Sequence, residues 1–558
     1  MKKILSLITA VTLSFSFCAH KSRTKLFQNS LRSDVDIFLI PKKFNIMESE
    51  WVETRDDSSF LKSDLIRHLK NYGRNLEMLK NDPSVKYREK DDIITMNVAK
   101  TSHSTFYEYD TNIPVIFYGP RWIQKGIYQD LIHQQNIVPT LAKITGVRNP
   151  NGVEVPALSH ILKIQSPREK PEIIVTVVID QGGQQVYKAH PGVPKNIEKI
   201  KESSAYFPNA HVGHLDAHTA VGHMAIGTGS YPSKSTVVGN TFFHIRGGIV
   251  HSNEIYALNE TEVNPDELHT ESFADVLDSE NGNGPEVISQ CYALRASIGM
   301  AGHGAFRLKN SSVNPDKDFV YWLDKKDGKW TTDTRYYQLP AAAKDFLPYE
   351  THLKNYPEGW KGHTGTRIED LKKHWSTVMA APAEARLEGE LFRKVIQQVI
   401  VDKGKNKDNE TDLAYITLKA GDAVGHGFGW ESIEAKETFS EIDSQIGQIK
   451  DFLDQNFGDK YILMITADHG CAPLPEISGG QRLTVNKVFS ALNSLLPPEE
   501  KESLAAFMTV GQISLNRELV KKYGITESQI RKKILGIKGS KGTGFFEDVV
   551  FRSEIPVQ

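Results

Sequence analysis

Four residues in two short segments have the types and spacing of metal ligands. Asp422 and His426 flank three residues that include a glycine, and Asp468 and His469 follow an apolar run. Carboxylate oxygens and imidazole nitrogens are good zinc ligands, and catalytic zinc sites keep one position open for substrate. Each pair alone is more often a hydrogen-bonded strand end, so neither pair by itself establishes a metal site.

Residues 218–223, with the sequence His-Thr-Ala-Val-Gly-His, offer a nucleophile. The hydroxyl of Thr219 needs activation before it can attack, and a metal ion that lowers its pKa can supply that activation. The alternative is that Thr219 only caps a helix N-terminus, which is the more common role of such a hydroxyl. The two roles are compatible because a helix N-terminus also attracts a phosphate anion.

Short β-branched apolar runs precede most of these polar residues. Runs of this kind are typical of strands buried on both faces of a parallel sheet. Ligands bind beyond the carboxyl ends of such strands, and acidic groups gathered there repel one another unless cations compensate them. The runs are residues 173–179 before Asp180, 414–418 before Asp422, 461–466 before Asp468, and 113–118 before Gly119.

The stretches between the runs have the pattern of amphipathic helices, as in residues 384–401 and 432–457. They predict an α/β fold, namely a three-layer α/β/α sandwich with a mostly parallel central sheet. Residues 242–404 are less regular and rich in Gly, Asn, Asp, Tyr and Trp. We predict that this segment is an inserted cap over the site.

Composition and the first residues limit the partners and the location. The 558 residues carry a formal net charge of -2, which gives no general attraction to a nucleic acid duplex. Three cysteines are too few for a disulfide framework. Basic residues 1–3 and apolar residues 4–17 predict a signal peptide over 1–18 and export to a bacterial periplasm. Cys18 resembles a lipoprotein processing site and would allow membrane attachment, with plain cleavage or a buried core helix as alternatives.

Taken together, the motifs resemble the alkaline phosphatase superfamily. The closest resemblance is to its type I phosphodiesterase/nucleotide pyrophosphatase branch and to related phosphatases with a threonine nucleophile. The resemblance covers roughly residues 172–471. It depends on the residues Asp180, Thr219 with His223, Thr228 and Gly229, Pro232, Gly239 and Asn240, Asp422 with His426, and Asp468, His469 and Gly470.

One family feature is displaced in this chain. The family has a further metal-binding histidine after its Asp-His-Gly motif, but no histidine follows His469. Residues 101–120 resemble the family's C-terminal block and contain His103. We therefore predict a circular permutation, with residues 26–164 as the family's C-terminal portion, 170–241 as the core with the nucleophile, and 405–558 as the core continued. The alternative is a separate N-terminal domain in which His103 is an ordinary surface residue.

The resemblance implies a role for each residue. Two divalent metal ions, expected to be zinc, would be held by two ligand sets, with the Thr219 hydroxyl beside the metal ion of the second set. Thr219 would form a phosphothreonine, Asn240 would donate a hydrogen bond to a phosphoryl oxygen, and His223 would be structural. The two ligand sets would be Asp422, His426 and His103, and Asp180, Asp468 and His469.

The resemblance also indicates which type of phosphate ester the protein would cleave. Related monoesterases carry a Lys-Asp-Arg-like triplet in the cap that clamps a dianionic phosphate, but residues 301–305 here read Ala-Gly-His-Gly-Ala. This favours a phosphodiesterase for small esters, nucleotides among them, with His303 as a partial substitute for the clamp. The alternatives are an alkaline phosphatase-like monoesterase, a phosphomutase or phosphotransferase, and a non-catalytic surface binding protein. Asp443 is interpreted as part of a solvated helix face.

Overall fold

The computed structural model describes residues 24–556 except 33, 49–54, 84, 164–168, 247–248, 255–256, 259–261, 305–317, 325–327 and 347–378. The predicted signal peptide and Cys18 lie outside the described residues. Within the described part of the chain, no helix is both long enough and apolar enough to cross a membrane.

A ten-stranded sheet forms the centre of the molecule. Six of the nine strand pairings are parallel, which confirms the predicted mostly parallel sheet. The strand Ile132–His133 pairs with Ala205–His211 beside the main path. Across the sheet the order is Lys329–Thr331, Phe319–Asp324, Val287–Gln290, Asp412–Leu418, Ile173–Ile179, Tyr461–Thr466, Asn112–Tyr118, Ala205–His211 and Gly126–Ile127.

The predicted strands are confirmed. Two strands have the same bounds as their apolar runs, namely Ile173–Ile179 and Tyr461–Thr466. The strand Asp412–Leu418 begins two residues before its run, and Asn112–Tyr118 begins one residue before its run. All seven residues of Ile173–Ile179 are buried, as expected for the middle strand of a covered sheet.

Two hydrophobic cores lie on opposite faces of this sheet. Side chains alternate along a strand, so Val175 and Val177 point into one core while Ile174 and Val178 point into the other. The helices that cover the first face are Gln184–Ala189, Lys195–Lys201, Ala341–Lys344, Pro382–Ile396, Ala420–Phe428 and Ile433–Phe457. Those that cover the second are Ile137–Thr145, Thr219–Thr228, Phe273–Glu280 and Leu294–Ala301. The predicted three-layer α/β/α sandwich is thus confirmed.

The N-terminal and C-terminal parts of the chain share smaller sheets. Ile37–Pro41 lies between Gln512–Leu515 and Phe546–Phe551, and the strand Ile46–Glu48 pairs in parallel with Arg482–Thr484. Ala505–Met508 lies at the edge of the first of these sheets, and Arg55–Leu61, Lys86–Lys90 and Ile93–Ala99 form a three-stranded sheet. Further α-helices among the described residues are Lys62–Asn71, Leu76–Lys80, Glu108–Thr111, Pro232–Ser235, Pro475–Ser478, Val485–Asn493, Arg517–Lys522 and Glu527–Leu535.

Residues 242–404, predicted as a cap, include parts of the sandwich itself. The strands Val287–Gln290 and Phe319–Asp324 extend the central sheet in parallel register, and the helix Pro382–Ile396 packs on its face. A separate antiparallel ladder runs through Thr241–Arg246, Ile249–Glu254, Ala257–Leu258 and Glu262–Val263.

The interpretation of Asp443 as a solvated helix residue is wrong. Asp443 is buried, and its carboxylate accepts hydrogen bonds from the backbone N–H groups of Asn196 and Ile197 at 2.9 Å each. Those N–H groups belong to the first turn of the helix Lys195–Lys201, so Asp443 satisfies donors that a helix leaves unpaired at its start.

Candidate active site

The predicted ligands converge at the carboxyl-end edge of the central sheet. Asp180 follows the strand Ile173–Ile179, and Asp468 and His469 follow Tyr461–Thr466. Asp422 and His426 lie one turn apart on the helix Ala420–Phe428, directly after the strand Asp412–Leu418. Parallel neighbouring strands therefore deliver these groups to one place, as expected from the apolar runs.

His103 reaches the site on a loop that is hydrogen-bonded to the ligand-bearing segments. The N–H of Thr101 donates to the carbonyl of His426 at 3.1 Å, and the N–H of Gly470 donates to the carbonyl of Asp110 at 2.7 Å. The His103 ring is buried and stacks on His469 with centroids 3.8 Å apart. His103 is therefore not the surface residue of the alternative interpretation.

The three predicted histidine ligands are oriented in the same way. Because a carbonyl oxygen only accepts, Nδ1–H donates from His103 to Ala217 at 2.5 Å, from His426 to Thr101 at 2.8 Å and from His469 to Gly470 at 2.8 Å. The tautomer so fixed places the proton on Nδ1 and the lone pair on Nε2. Metal-binding histidines are held by this kind of second contact.

The ligand atoms of the first set, Asp422, His426 and His103, lie close together. Nε2 of His426 lies 3.1 Å and Nε2 of His103 lies 3.8 Å from Oδ1 of Asp422. His103, Asp422 and His469 also form a group whose ligand atoms all lie within 4.8 Å of one another. One divalent ion among these atoms would meet an oxygen and imidazole nitrogens, which is a zinc-type donor set.

The second ligand set contains buried atoms that lack hydrogen bonds. Oδ1 of Asp180, Oδ2 of Asp468 and Nε2 of His469 are all buried, and none has a hydrogen-bond partner among the described residues. Nε2 of His469 lies 3.8 Å from the Asp180 oxygen and 3.1 Å from the Asp468 oxygen. Buried polar atoms are nearly always satisfied, so three orphaned acceptors in one place fit a bound cation.

His223 offers a competing third ligand for this set, since it groups with Asp180 and Asp468. Both of its ring nitrogens are occupied, however: Nδ1 contacts the Thr219 carbonyl at 2.7 Å and Nε2 contacts the Thr417 hydroxyl at 2.9 Å. These bonds tie the helix of Thr219 to the neighbouring strand. We therefore assign His469 to the ligand set and a structural role to His223.

The pKa shifts of the ligand residues also favour bound cations at this site. Burial, and then repulsion from Asp468, raises the pKa of Asp180 to about 8, and burial lowers the pKa of His469 to about 4. Without added positive charge, these carboxylates resist being ionised together. Divalent cations would reverse that preference.

Thr219 is the first residue of the helix Thr219–Thr228, and His218 occupies the N-cap. The helix approaches the ligand segment closely because residue 222 is glycine: a Cβ there would lie 2.5 Å from the Asp468 carbonyl oxygen. Asn240 is beside the same helix end, where its Oδ1 accepts from the N–H of Ala220 at 3.0 Å. This contact directs the Asn240 oxygen at the helix, so its NH₂ group is the part available for an anion.

Sequence reasoning missed Lys419. Its Nζ lies 2.7 Å from Oδ2 of Asp180, 2.7 Å from Oδ2 of Asp422 and 3.4 Å from Oγ1 of Thr219. Burial alone would lower the pKa of Lys419, but the two carboxylates raise it above its ordinary value. The only sequence signal was its position at the end of the strand Asp412–Leu418, three residues before Asp422.

Gln181 connects the two ligand sets. Its side chain donates to Asp422 Oδ1 at 2.8 Å, and its backbone N–H donates to Asp468 Oδ1 at 3.2 Å. The residue has a φ of 62°, a conformation that non-glycine residues rarely adopt. Strain of this kind persists where the surrounding structure holds it, and it is common at functional sites.

The prediction that His303 partly substitutes for a phosphate-clamping triplet is wrong. It is fully buried, Nδ1 contacts Asp275 at 2.8 Å, and Nε2 contacts the Leu268 carbonyl at 2.9 Å. Both nitrogens are engaged in these contacts, so its imidazole holds the helix Phe273–Glu280 in place.

Comparisons with known proteins identify similar sequences and a similar fold. The chain is 25% identical over 429 residues to a protein named calcium-transporting ATPase from Myroides odoratus, covering 68% of this chain and 76% of that protein. It is 24% identical over 407 residues to alkaline phosphatase PhoV of Synechococcus elongatus, covering 66% and 72%. The crystal structure of alkaline phosphatase PafA superposes with a TM-score of 0.52 at 19% identity, covering 70% of this chain and 85% of that chain, which shows a shared fold.

The family profile described as type I phosphodiesterase / nucleotide pyrophosphatase matches residues 174–557, more than half of the chain. The match spans Asp180, Thr219, Asp422 and Asp468, and it begins after His103. The chain thus belongs to the type I phosphodiesterase/nucleotide pyrophosphatase family of the alkaline phosphatase superfamily and is a phosphoric ester hydrolase.

Proposed function

We propose that the protein hydrolyses small phosphate esters by attack of the Thr219 hydroxyl, with two zinc ions held by the two ligand sets. The observation that carries the proposal is the orphaned trio of Asp180 Oδ1, Asp468 Oδ2 and His469 Nε2 beside the helix that Thr219 begins. Two bound dications would lower the pKa of the nucleophile and neutralise phosphoryl charge.

The chain's own groups supply the rest of the reaction. The N-terminus of the helix Thr219–Thr228 places positive backbone charge beside a phosphoryl anion. The NH₂ of Asn240 donates to a non-bridging oxygen, because its Oδ1 is held by Ala220. Thr219 Oγ forms the bond to phosphorus as the P–O bond to the leaving alcohol breaks. Water then cleaves the phosphothreonine and releases phosphate from a monoester substrate, or a phosphate monoester from a diester substrate.

The circular permutation remains part of the proposal. Two observations support it: the strand Asn112–Tyr118 pairs within the central sheet beside Tyr461–Thr466, and His103 lies against Asp422 and His469. The family match begins at residue 174, so the segment that carries His103 lies outside it. We propose that residues 26–164 supply the part of the domain that the family carries at its C-terminal end.

We also propose export of the protein, on the basis of the basic and apolar pattern in residues 1–17. Lipidation of Cys18 would attach it to a membrane. Mass spectrometry of the mature N-terminus distinguishes a lipidated Cys18 from plain cleavage.

Two ester classes are candidates. A diester is the substrate that the missing Lys-Asp-Arg-like triplet at 301–305 predicts. A monoester is favoured by a specific observation, the buried ammonium of Lys419 at 3.4 Å from Thr219 Oγ1. A dianionic phosphoryl group gains more from that cation than a monoanionic one does.

Hydrolysis of an aryl phosphate monoester and diester by the zinc-loaded protein tests the proposal. Thr219→Ala should abolish turnover of the preferred ester while zinc stays bound, because the ligand sets are intact. Undiminished turnover by this variant would refute the nucleophile assignment. Zinc content near zero in the wild type would favour a binding protein, and phosphate transfer to an added alcohol that outpaces hydrolysis would indicate a phosphotransferase.

A further inference from the structure

Lys419 is a buried cation between the two ligand sets. Its side chain is 10% exposed, and its ammonium has three N–H groups for three neighbours. Two of these neighbours, Asp180 Oδ2 and Asp422 Oδ2, lie at 2.7 Å, whereas Thr219 Oγ1 lies at 3.4 Å. The long contact leaves the N–H that faces the nucleophile weakly bonded.

The ammonium does not compete with the predicted ligand atoms. It contacts the Oδ2 oxygens, whereas Oδ1 of Asp422 accepts a hydrogen bond from the Gln181 side chain and faces the imidazoles of His103 and His426. Oδ1 of Asp180 likewise faces His469 and has no hydrogen bond. Each carboxylate can therefore contact Lys419 with one oxygen and a metal ion with the other.

Lys419 also lies within reach of a transferred phosphoryl group. The non-bridging oxygens of a phosphoryl group bonded to Thr219 Oγ1 would lie two bonds from Oγ1. One of them can therefore approach an ammonium that lies 3.4 Å from Oγ1 to hydrogen-bonding distance. A lysine so placed forms a charge-assisted hydrogen bond, which is about twice as strong as a neutral one.

Lys419 also changes the net charge of the site. Asp180, Asp422 and Asp468 bring three negative charges, and two bound dications would bring four positive ones. Arg295 lies near enough for its charge to repel Lys419, and the ammonium of Lys419 adds one further positive charge. A phosphate monoester bound as a dianion gains more from this added charge than a monoanionic diester does.

We propose that Lys419 is a substrate-binding residue that contacts a non-bridging phosphoryl oxygen and gives the site its preference for phosphate monoesters over diesters. The inference rests on the proposed hydrolysis at Thr219 and deepens it by naming the substrate class. Lys419 keeps its proton throughout and forms no covalent bond. It supplies from the end of a sheet strand the positive charge that residues 301–305 lack.

The test compares Lys419→Met and Lys419→Arg with the matched control Lys450→Met. Lys450 is also a largely buried lysine paired with an aspartate, with Nζ 2.7 Å from Asp454 Oδ2, but it lies on the outer helix Ile433–Phe457. Four quantities are measured for the zinc-loaded full-length protein: kcat/KM for an aryl monoester and for an aryl diester, zinc content by elemental analysis, and the Kd of inorganic phosphate and of dimethyl phosphate.

In Lys419→Met, we expect monoester kcat/KM to fall by about a hundredfold or more and diester kcat/KM by about tenfold or less. The Kd of inorganic phosphate should rise by about tenfold or more while that of dimethyl phosphate changes little, with two zinc ions retained. Lys419→Arg should recover part of the monoester preference because it keeps the charge, and Lys450→Met should match the wild type.

Three results would overturn the inference. Equal losses for both esters, with zinc retained, would make Lys419 a general positioning residue. Loss of zinc from Lys419→Met would show that the lysine only holds the ligand carboxylates. A rise from one zinc ion in the wild type to two in the variant would show that the ammonium occupies a metal position. If neither ester is cleaved by the wild type, the proposed hydrolysis fails, and the phosphate and dimethyl phosphate affinities still decide the role of Lys419.

Discussion

Replacing Gly222 by alanine tests how closely the nucleophile helix must approach the metal ligands. An ideal Cβ at residue 222 would lie 2.5 Å from the carbonyl oxygen and 2.7 Å from the Cβ of Asp468. Ordinary carbon contacts are about 3.5–4.0 Å, so the helix Thr219–Thr228 or the Asp468 segment must move by about 1 Å. The helix carries Thr219 and the other segment carries Asp468. The new Cβ would meet the backbone and Cβ of Asp468 rather than the flexible end of a side chain, so a side-chain rotation would not relieve the clash.

The expected magnitudes follow from two opposing effects. Alanine stabilises a helix interior by about 0.5–1 kcal/mol relative to glycine, and overpacking a filled site costs about 1–3 kcal/mol. We expect a net loss of about 1–2 kcal/mol in the free energy of unfolding. Because a 1 Å displacement of reacting groups costs about a hundredfold in rate, kcat/KM should fall by about that factor.

Gly427 provides the matched control. It lies in the ligand-bearing helix Ala420–Phe428, and a Cβ there would meet no atom within 4 Å. Gly427→Ala should gain about 0.5–1 kcal/mol in stability with unchanged turnover. Urea unfolding and ester hydrolysis measure both variants. If Gly222→Ala is as stable and as active as Gly427→Ala, the close approach is not required and the reasoning fails.

Three further predictions use other parts of the molecule. Burial raises the pKa of Glu431 to about 7, so between pH 4.5 and 7 the folded state holds a proton that the unfolded state has released. The free energy of unfolding therefore falls by about 3 kcal/mol as pH rises from 4.5 through 7. Glu431→Gln should therefore narrow the Tm difference between pH 5 and pH 8 in thermal melts, and an unchanged difference would contradict this assignment. Asp443→Ala should lower the free energy of unfolding in urea by about 1–2 kcal/mol because it uncaps the helix Lys195–Lys201, and a change within error would mean that water replaces the carboxylate. His103→Ala should reduce bound zinc from about two ions to about one by elemental analysis, whereas the exposed His160→Ala should retain both, and equal zinc in the two variants would remove His103 from the ligand set.

The sequence was sufficient to predict the sandwich and the position of the site. The β-branched runs before Asp180, Asp422 and Asp468 predict buried parallel strands, and the carboxyl ends of those strands necessarily meet at one sheet edge. The structure confirms these strands and brings the six predicted ligands and the Thr219 helix together there.

Other features depend on tertiary contacts that no local pattern encodes. Lys419 looks like any lysine at a strand end, and its significance arises from two aspartates 239 and 3 residues away. Asp443 has the spacing of an exposed helix residue, yet a second helix packs its N-terminus against it. The four-residue strand Val287–Gln290 is too short to stand out among the irregular residues around it, so its place in the sheet could not be predicted.

Trapping the covalent intermediate tests the assignment of Thr219 as the nucleophile most directly. The zinc-loaded protein is mixed with its preferred ester, quenched in acid during turnover, digested and analysed by peptide mass spectrometry, with Thr219→Ala in parallel. We predict one added phosphoryl group on the peptide that contains Thr219, and no such group in the variant. Phosphate on a different residue, or steady turnover in both proteins without any phosphopeptide, would contradict it.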